Sequence, residues 1–174
     1  MTRGFASLNP QEALQMAIFI EERNAGIYQR FAEMFAEFRD TESLEIASVF
    51  WDMSTEEKRH RAMLQERYAE RYGKATCSVT EEDLCEMIEV PNLENGDVFE
   101  APGRSDRSAR ERALQVALTA EKTAQDFYAR LVEQTEDDIL RRLYTELSIM
   151  EDGHVEFLQN LVCSEKVGGA INIQ

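Results

Sequence analysis

The feature that most constrains this chain is a four-residue pattern that occurs twice. The sequence has two histidines, His60 and His154, and each stands three residues after a glutamate: Glu57-Lys58-Arg59-His60 and Glu151-Asp152-Gly153-His154. Residues three apart on a helix lie on one face, so each pattern offers a carboxylate and an imidazole to the same point. Such a pair has a bland reading, an exposed contact between neighbouring turns. The surrounding residues decide against it, because both pairs fall inside apolar stripes.

The stripes come in four segments. The first is Leu14, Ala17, Ile18, Glu21, Ala25, Tyr28, Ala32, Phe35, in the steps of three and four that mark an amphipathic helix. It starts behind Asn9-Pro10-Gln11-Glu12, where a capping residue, a first-turn proline and an acid follow in order. The second is Ile46, Phe50, Met53, Glu57, His60, Leu64, Tyr68, and Gly73 suits its C-terminal stop. The third is Leu114, Ala117, Leu118, Glu121, Ala124, Tyr128, Leu131, and the fourth is Leu140, Leu143, Tyr144, Leu147, Glu151, His154, Leu158, Leu161. Helices are expected over about 10–38, 41–72, 105–134 and 136–163. Prolines occur only at 10, 91 and 102, which leaves both long regions free to be helical.

Between the hairpins, residues 73–104 read as a long connection with one short helix near Thr80–Ile88. A crossover from one end of a bundle to the other gives such a length a purpose. The tail 165–174, with Gly168-Gly169, is expected to be mobile. The fold class is therefore all-α, a single-domain four-helix bundle with a long crossover between its second and third helices.

A charged residue inside an apolar stripe is costly unless it is paired or bound to a metal. Glu21, Glu57, Glu121 and Glu151 are all so placed, whereas Glu22, Glu56, Glu66, Glu70 and Glu156 are expected on solvated faces. The two hairpins also repeat one another. Ala17, Glu21 and Tyr28 align with Ala117, Glu121 and Tyr128, and Ser54, Glu57 and His60 align with Ser148, Glu151 and His154. A pseudo-twofold bundle built from this repeat brings Glu21, Glu57, His60, Glu121, Glu151 and His154 to one central point. One glutamate from each of two helices, with Glu-x-x-His from each of the other two, is the ligand layout of bundles that bind two iron or two manganese ions. Four carboxylates balance two divalent cations, which removes the penalty each buried glutamate would otherwise carry. Mixed oxygen and nitrogen ligands favour iron, with manganese or zinc as weaker alternatives.

On these residues the sequence resembles the ferritin-like superfamily, and within it the rubrerythrin branch. The resemblance spans about residues 10–72 and 107–163. It implies two iron ions bridged by Glu57 and Glu151, with Glu21 and Glu121 terminal and one histidine on each ion. Tyr28 and Tyr128 would then hydrogen-bond the ligands or relay electrons, although plain core packing explains them equally well. The resemblance also implies a homodimer and a substrate that is peroxide or O2. Two departures stand out. No C-x-x-C pair of the rubredoxin type is present, so the electron donor is expected to be external. Leu118 and Ala124 flank Glu121 where rubrerythrins carry an additional glutamate. Ferroxidase activity feeding storage or transfer, and a metal-stabilised bundle without catalysis, remain as rival readings.

Charge and composition narrow the partners. The net charge of −15 opposes binding to nucleic acid or to an anionic membrane face. No apolar run is long enough to cross a bilayer, and the N-terminus lacks the apolar core of a signal peptide, so a cytoplasmic location is expected. Cys77, Cys85 and Cys163 read as free thiols, with a Cys77–Cys85 pair as the alternative. Gly153, inside a ligand motif, suggests a local bulge or a close approach, or else carries little meaning.

Overall fold

The computed structural model describes residues 5–74, 78–88 and 107–170. Among these there are five α-helices and no strand: α1 (Pro10–Phe38), α2 (Thr41–Tyr72), α3 (Glu81–Met87), α4 (Arg107–Gln134) and α5 (Asp138–Ala170). α1 packs along α2 and α4 along α5, forming two hairpins that meet mainly where α1 touches α4. This is the expected four-helix bundle, with α3 as the short helix of the connection. The rest of that connection, at 75–77 and 89–106, lies outside the described residues, and with it the Cys77–Cys85 pairing.

Local chemistry sets the helix boundaries. The Asn9 side chain accepts hydrogen bonds from the backbone N–H groups of Gln11 and Glu12, each at 3.0 Å, while the Glu12 carboxylate accepts the Asn9 N–H at 3.0 Å. Both ends of this reciprocal cap satisfy N–H groups that the helix itself cannot. At the other end Arg39 takes a left-handed conformation with φ of 59°, which reverses the chain into α2. Asp40 then caps α2 by accepting the Ser43 N–H at 2.9 Å. Gly73, with φ of 60°, closes α2 by donating its N–H to the Ala69 carbonyl at 2.9 Å. Asp137 starts α5, accepting the N–H groups of Ile139 and Leu140 at 2.9 and 3.0 Å. It also pairs with Arg71, which ties the end of α2 to the turn between α4 and α5.

α5 is longer than the sequence pattern suggests. Residues 165–170, expected in a mobile tail, continue the helix through Gly168-Gly169 to Ala170. Each glycine costs about 1 kcal/mol of helix propensity, but extending an established helix is far easier than starting one. Residues 171–174 lie outside the described residues. Gly153 marks neither a bulge nor a close approach: it sits within regular helix, and a Cβ there would meet nothing within 4 Å.

The apolar interior falls into two blocks. One gathers Leu14, Ala17, Leu64, Phe127, Tyr128, Leu140, Tyr144 and Leu147, joined by Val79 and Leu84 from the connection. The other gathers Tyr28, Phe31, Phe35, Phe50, Met53, Leu114, Leu118 and Leu158. In each of the four long helices the boundary between blocks falls at a glutamate: Glu21, Glu57, Glu121 and Glu151. The bundle thus encloses a polar layer between two dry ones.

Candidate metal centre

All six residues singled out by the repeat meet in that layer. The four glutamates are fully buried, His60 is 6% exposed and His154 is somewhat more open. Their donor atoms form two overlapping groups. Glu21, Glu57, His60 and Glu151 each offer an atom within 4.8 Å of the others, and so do Glu57, Glu121, Glu151 and His154. Glu57 and Glu151 belong to both groups, while Glu21 and Glu121 belong to one each. The layout therefore follows the repeat: two shared carboxylates, two private ones and one imidazole per group.

Both imidazoles point the same ring nitrogen inward. His60 Nδ1 lies 3.4 Å from Glu21 Oε2, 3.3 Å from Glu151 Oε1 and 3.9 Å from Glu57 Oε1. His154 Nδ1 lies 3.2 Å from Glu57 Oε1, 3.2 Å from Glu121 Oε2 and 3.8 Å from Glu151 Oε2. The two rings stack at 5.7 Å between centroids.

The buried atoms of this layer fit a metal pair. Glu21 Oε2, both oxygens of Glu57, both oxygens of Glu151 and His60 Nδ1 have no hydrogen-bond partner. A buried carboxylate without hydrogen bonds is costly, and all of these atoms converge on the two groups. Two divalent cations would satisfy them together. Mostly oxygen donors with one nitrogen per position suit iron or manganese better than a thiolate-seeking ion. Without metal, protons must do this work. Burial pushes the Glu57 carboxyl well up, with the Glu121, Glu21 and Glu151 charges adding to it. Burial and the Glu151 charge push Glu121 up to about 8. For Glu151 burial acts upward, yet the closeness of Glu121 and of both imidazoles holds it below the usual carboxylate value. Burial opposes the charged form of His60, but the Glu151 and Glu21 carboxylates at 3.3 and 3.4 Å outweigh it and raise the imidazole to about 9. His154 is raised as well, because the carboxylates of Glu121, Glu151 and Glu57 facing it overcome its desolvation.

Two tyrosines flank the layer, one from each block. Tyr28 donates a hydrogen bond to Glu121 Oε1, and Tyr128 donates one to Glu21 Oε1. Each tyrosine thus reaches across to the private glutamate of the opposite hairpin. Burial first, then the neighbouring carboxylates, pushes both phenols well above their ordinary value, so both remain protonated donors. The repeat extends to their packing with one difference. Tyr28 stacks on Phe50 at 6.1 Å, whereas Tyr128 stacks on Tyr144 at 6.3 Å.

One neighbour departs from expectation. Glu56, assigned to a solvated face, is half-exposed, but its Oε2 lies 2.8 Å from His154 Nε2. Its position one residue before Glu57 puts it off the apolar stripe, and only the approach of α5 to α2 brings it to the histidine. The other acids behave as surface groups: Glu22 pairs with Arg61 at 3.2 Å, Glu70 pairs with Arg67 at 2.7 Å, and Glu66 and Glu156 are exposed. Cys85 and Cys163 are exposed free thiols.

Four carboxylates and two imidazoles, buried between the dry halves of a four-helix bundle, make the protein a carboxylate-rich helical bundle with a candidate metal site at its centre. Its sequence matches the rubrerythrin family model over residues 12–162, and the chain belongs to that family. Two solved structures share the fold. An uncharacterized conserved protein from Magnetospirillum magnetotacticum MS-1 is 22% identical, with a TM-score of 0.71 over 90% of this chain and 95% of the other. A hypothetical protein from Pyrococcus furiosus is 24% identical, with a TM-score of 0.68 over 92% of both chains. No protein of curated function matches the sequence. Among the described residues, no helix is long and apolar enough to cross a membrane.

Proposed function

We propose that this protein is a dinuclear iron oxidoreductase that reduces peroxide or O2 with electrons from an external donor. The observation that carries the reading is the set of unpartnered buried atoms on Glu21, Glu57, His60 and Glu151, which converge on two overlapping ligand groups. Glu57 and Glu151 would bridge, Glu21 and Glu121 would bind one ion each, and His60 and His154 would each complete one position. A pair of ferrous ions held there would supply two electrons to a bound oxidant. The protein's own residues do the rest. Tyr28 and Tyr128 hold protons at their phenolic oxygens and keep Glu121 and Glu21 oriented by hydrogen bonding. The apolar blocks on either side keep bulk water from the carboxylates, which strengthens every electrostatic contact in the layer. The same reading includes a homodimer in the cytoplasm.

The test is anaerobic loading with ferrous ion, followed by rapid mixing with peroxide or O2 while absorbance is recorded. Two irons per chain, oxidised much faster by peroxide than by O2, are expected for a peroxidase. Faster oxidation by O2 that continues beyond two irons per chain would identify a ferroxidase instead. Binding without oxidation would leave a structural metal site, and no binding would remove the metal reading altogether.

A further inference from the structure

The two ligand groups are not equivalent, and the difference lies in Glu56. Its Oε2 is 2.8 Å from Nε2 of His154, while Nδ1 of the same ring faces Glu57, Glu121 and Glu151. A carboxylate cannot donate, so in the neutral ring Nε2 carries the proton and Nδ1 keeps its lone pair for a metal. The contact also crosses the bundle: Glu56 is on α2 and His154 on α5. The repeat predicts a counterpart on α5 acting on His60, at the residue just before Glu151. That residue is Met150, and a thioether cannot hold an imidazole N–H as a carboxylate does. Glu56 therefore supports one histidine, and its place in the other half is taken by a residue unable to do the same. Hydrogen-bonded carboxylates behind a histidine ligand fix its orientation and raise its basicity.

We propose that Glu56 is a positioning residue that makes the His154 position the tighter of two unequal metal sites, so that the ions load in sequence. The first ion enters among Glu57, Glu121, Glu151 and His154. The second enters beside His60, where the imidazole lacks this support and Glu57 and Glu151 already share their charge with the first ion. This rests on the metal reading above. It adds an order of filling, and a difference between the two ions that the near-symmetry of the ligands conceals.

The test uses the full chain, stripped of metal and titrated anaerobically with Mn2+ by calorimetry. Electron paramagnetic resonance at one equivalent separates lone ions from coupled pairs. The wild-type protein should bind two ions in distinct steps, with lone ions dominant at one equivalent. Glu56→Ala should weaken the first step by about 10- to 100-fold, the range found when outer partners of metal-bound histidines are removed. It should leave the weaker step nearly unchanged. Met150→Glu, which installs the missing partner, should tighten the weaker step. A second readout separates positioning from general stability. In Zn2+-loaded, nitrogen-15-labelled protein, the Nε2 proton of His154 should be protected from exchange, and Glu56→Ala should abolish that protection. The proposal is overturned if Glu56→Ala alters neither step, or weakens both equally without touching the imidazole proton. Two ions bound equally in both proteins would defeat the proposal and leave the metal site standing. A wild-type protein that binds no metal would defeat both.

Discussion

Stripping the metal should leave a protein whose stability falls as pH rises, over a range in which most proteins change little. In the metal-free fold His60 is raised from an ordinary value near 6.5 to about 9, and Glu121 from 4.5 to about 8. Both groups hold their protons more tightly folded than unfolded. Each therefore contributes stability that is complete below its unfolded pKa and is lost as pH climbs through its folded pKa. The windows are 6.5 to 9 for His60 and 4.5 to 8 for Glu121, so the steepest loss falls between 6.5 and 8. Each proton held by the folded state alone costs about 1.4 kcal/mol per pH unit. Across its window His60 alone accounts for about 3 kcal/mol, a large part of a typical folding stability of about 5–15 kcal/mol. The Glu121 contribution does not simply add, because the two groups interact through the shared carboxylates. The assay is urea unfolding followed by helical circular dichroism, in chelator, at several values between pH 6 and pH 9. With two divalent ions bound, the metals replace the protons and the slope should largely disappear. A metal-free midpoint that stays level or rises from pH 6 to pH 9 would refute the reasoning.

Four further outcomes follow from single positions. Tyr128→Phe removes the hydrogen bond to Glu21 and should destabilise the protein by about 1–3 kcal/mol in thermal or urea melts. Tyr144→Phe, which removes a buried hydroxyl with no hydrogen-bond partner, should be neutral or stabilising in the same melts. Asp137→Ala removes the cap of α5 and the partner of Arg71, and should cost about 1–2 kcal/mol, read as a lower unfolding midpoint. Gly153→Ala should stabilise by about 1 kcal/mol, since the site is regular helix with open space around it and alanine is the better helix former.

The six residues of the polar layer were legible because a carboxylate or imidazole on an apolar stripe contradicts its surroundings, and the contradiction repeats. Glu21 and Glu57 could be told from Glu22 and Glu66 by stripe position alone. The helix starts were legible where a capping residue precedes an apolar run, as at Asn9. Glu56 was not legible, because its stripe position is that of a solvated residue and its partner lies on another hairpin. Only the register between α2 and α5 brings them together, and periodicity within one helix carries no information about that register. The extent of α5 was hidden for a different reason: Gly168-Gly169 reads as a breaker, while a helix already long needs little further propensity to continue. The crossing contacts of Tyr28 and Tyr128 were half visible. Their spacing from Glu21 and Glu121 marked them, but the sequence could not show that each serves the glutamate of the other hairpin.

The arrangement of two hairpins around a shared polar layer bears on how the chain folds. Nearly all neighbouring turns of helix are joined within a hairpin, α1 with α2 and α4 with α5. Such local pairings form quickly, because little loop entropy is lost in making them. Each hairpin alone presents two glutamates and one histidine on an otherwise apolar face, an incomplete set that docking must complete. Docking is thus the late event, and it unites parts that each carry three of the six donors. Ions present during synthesis would act on that last step rather than on helix formation, closing two ready-made halves over a common charge.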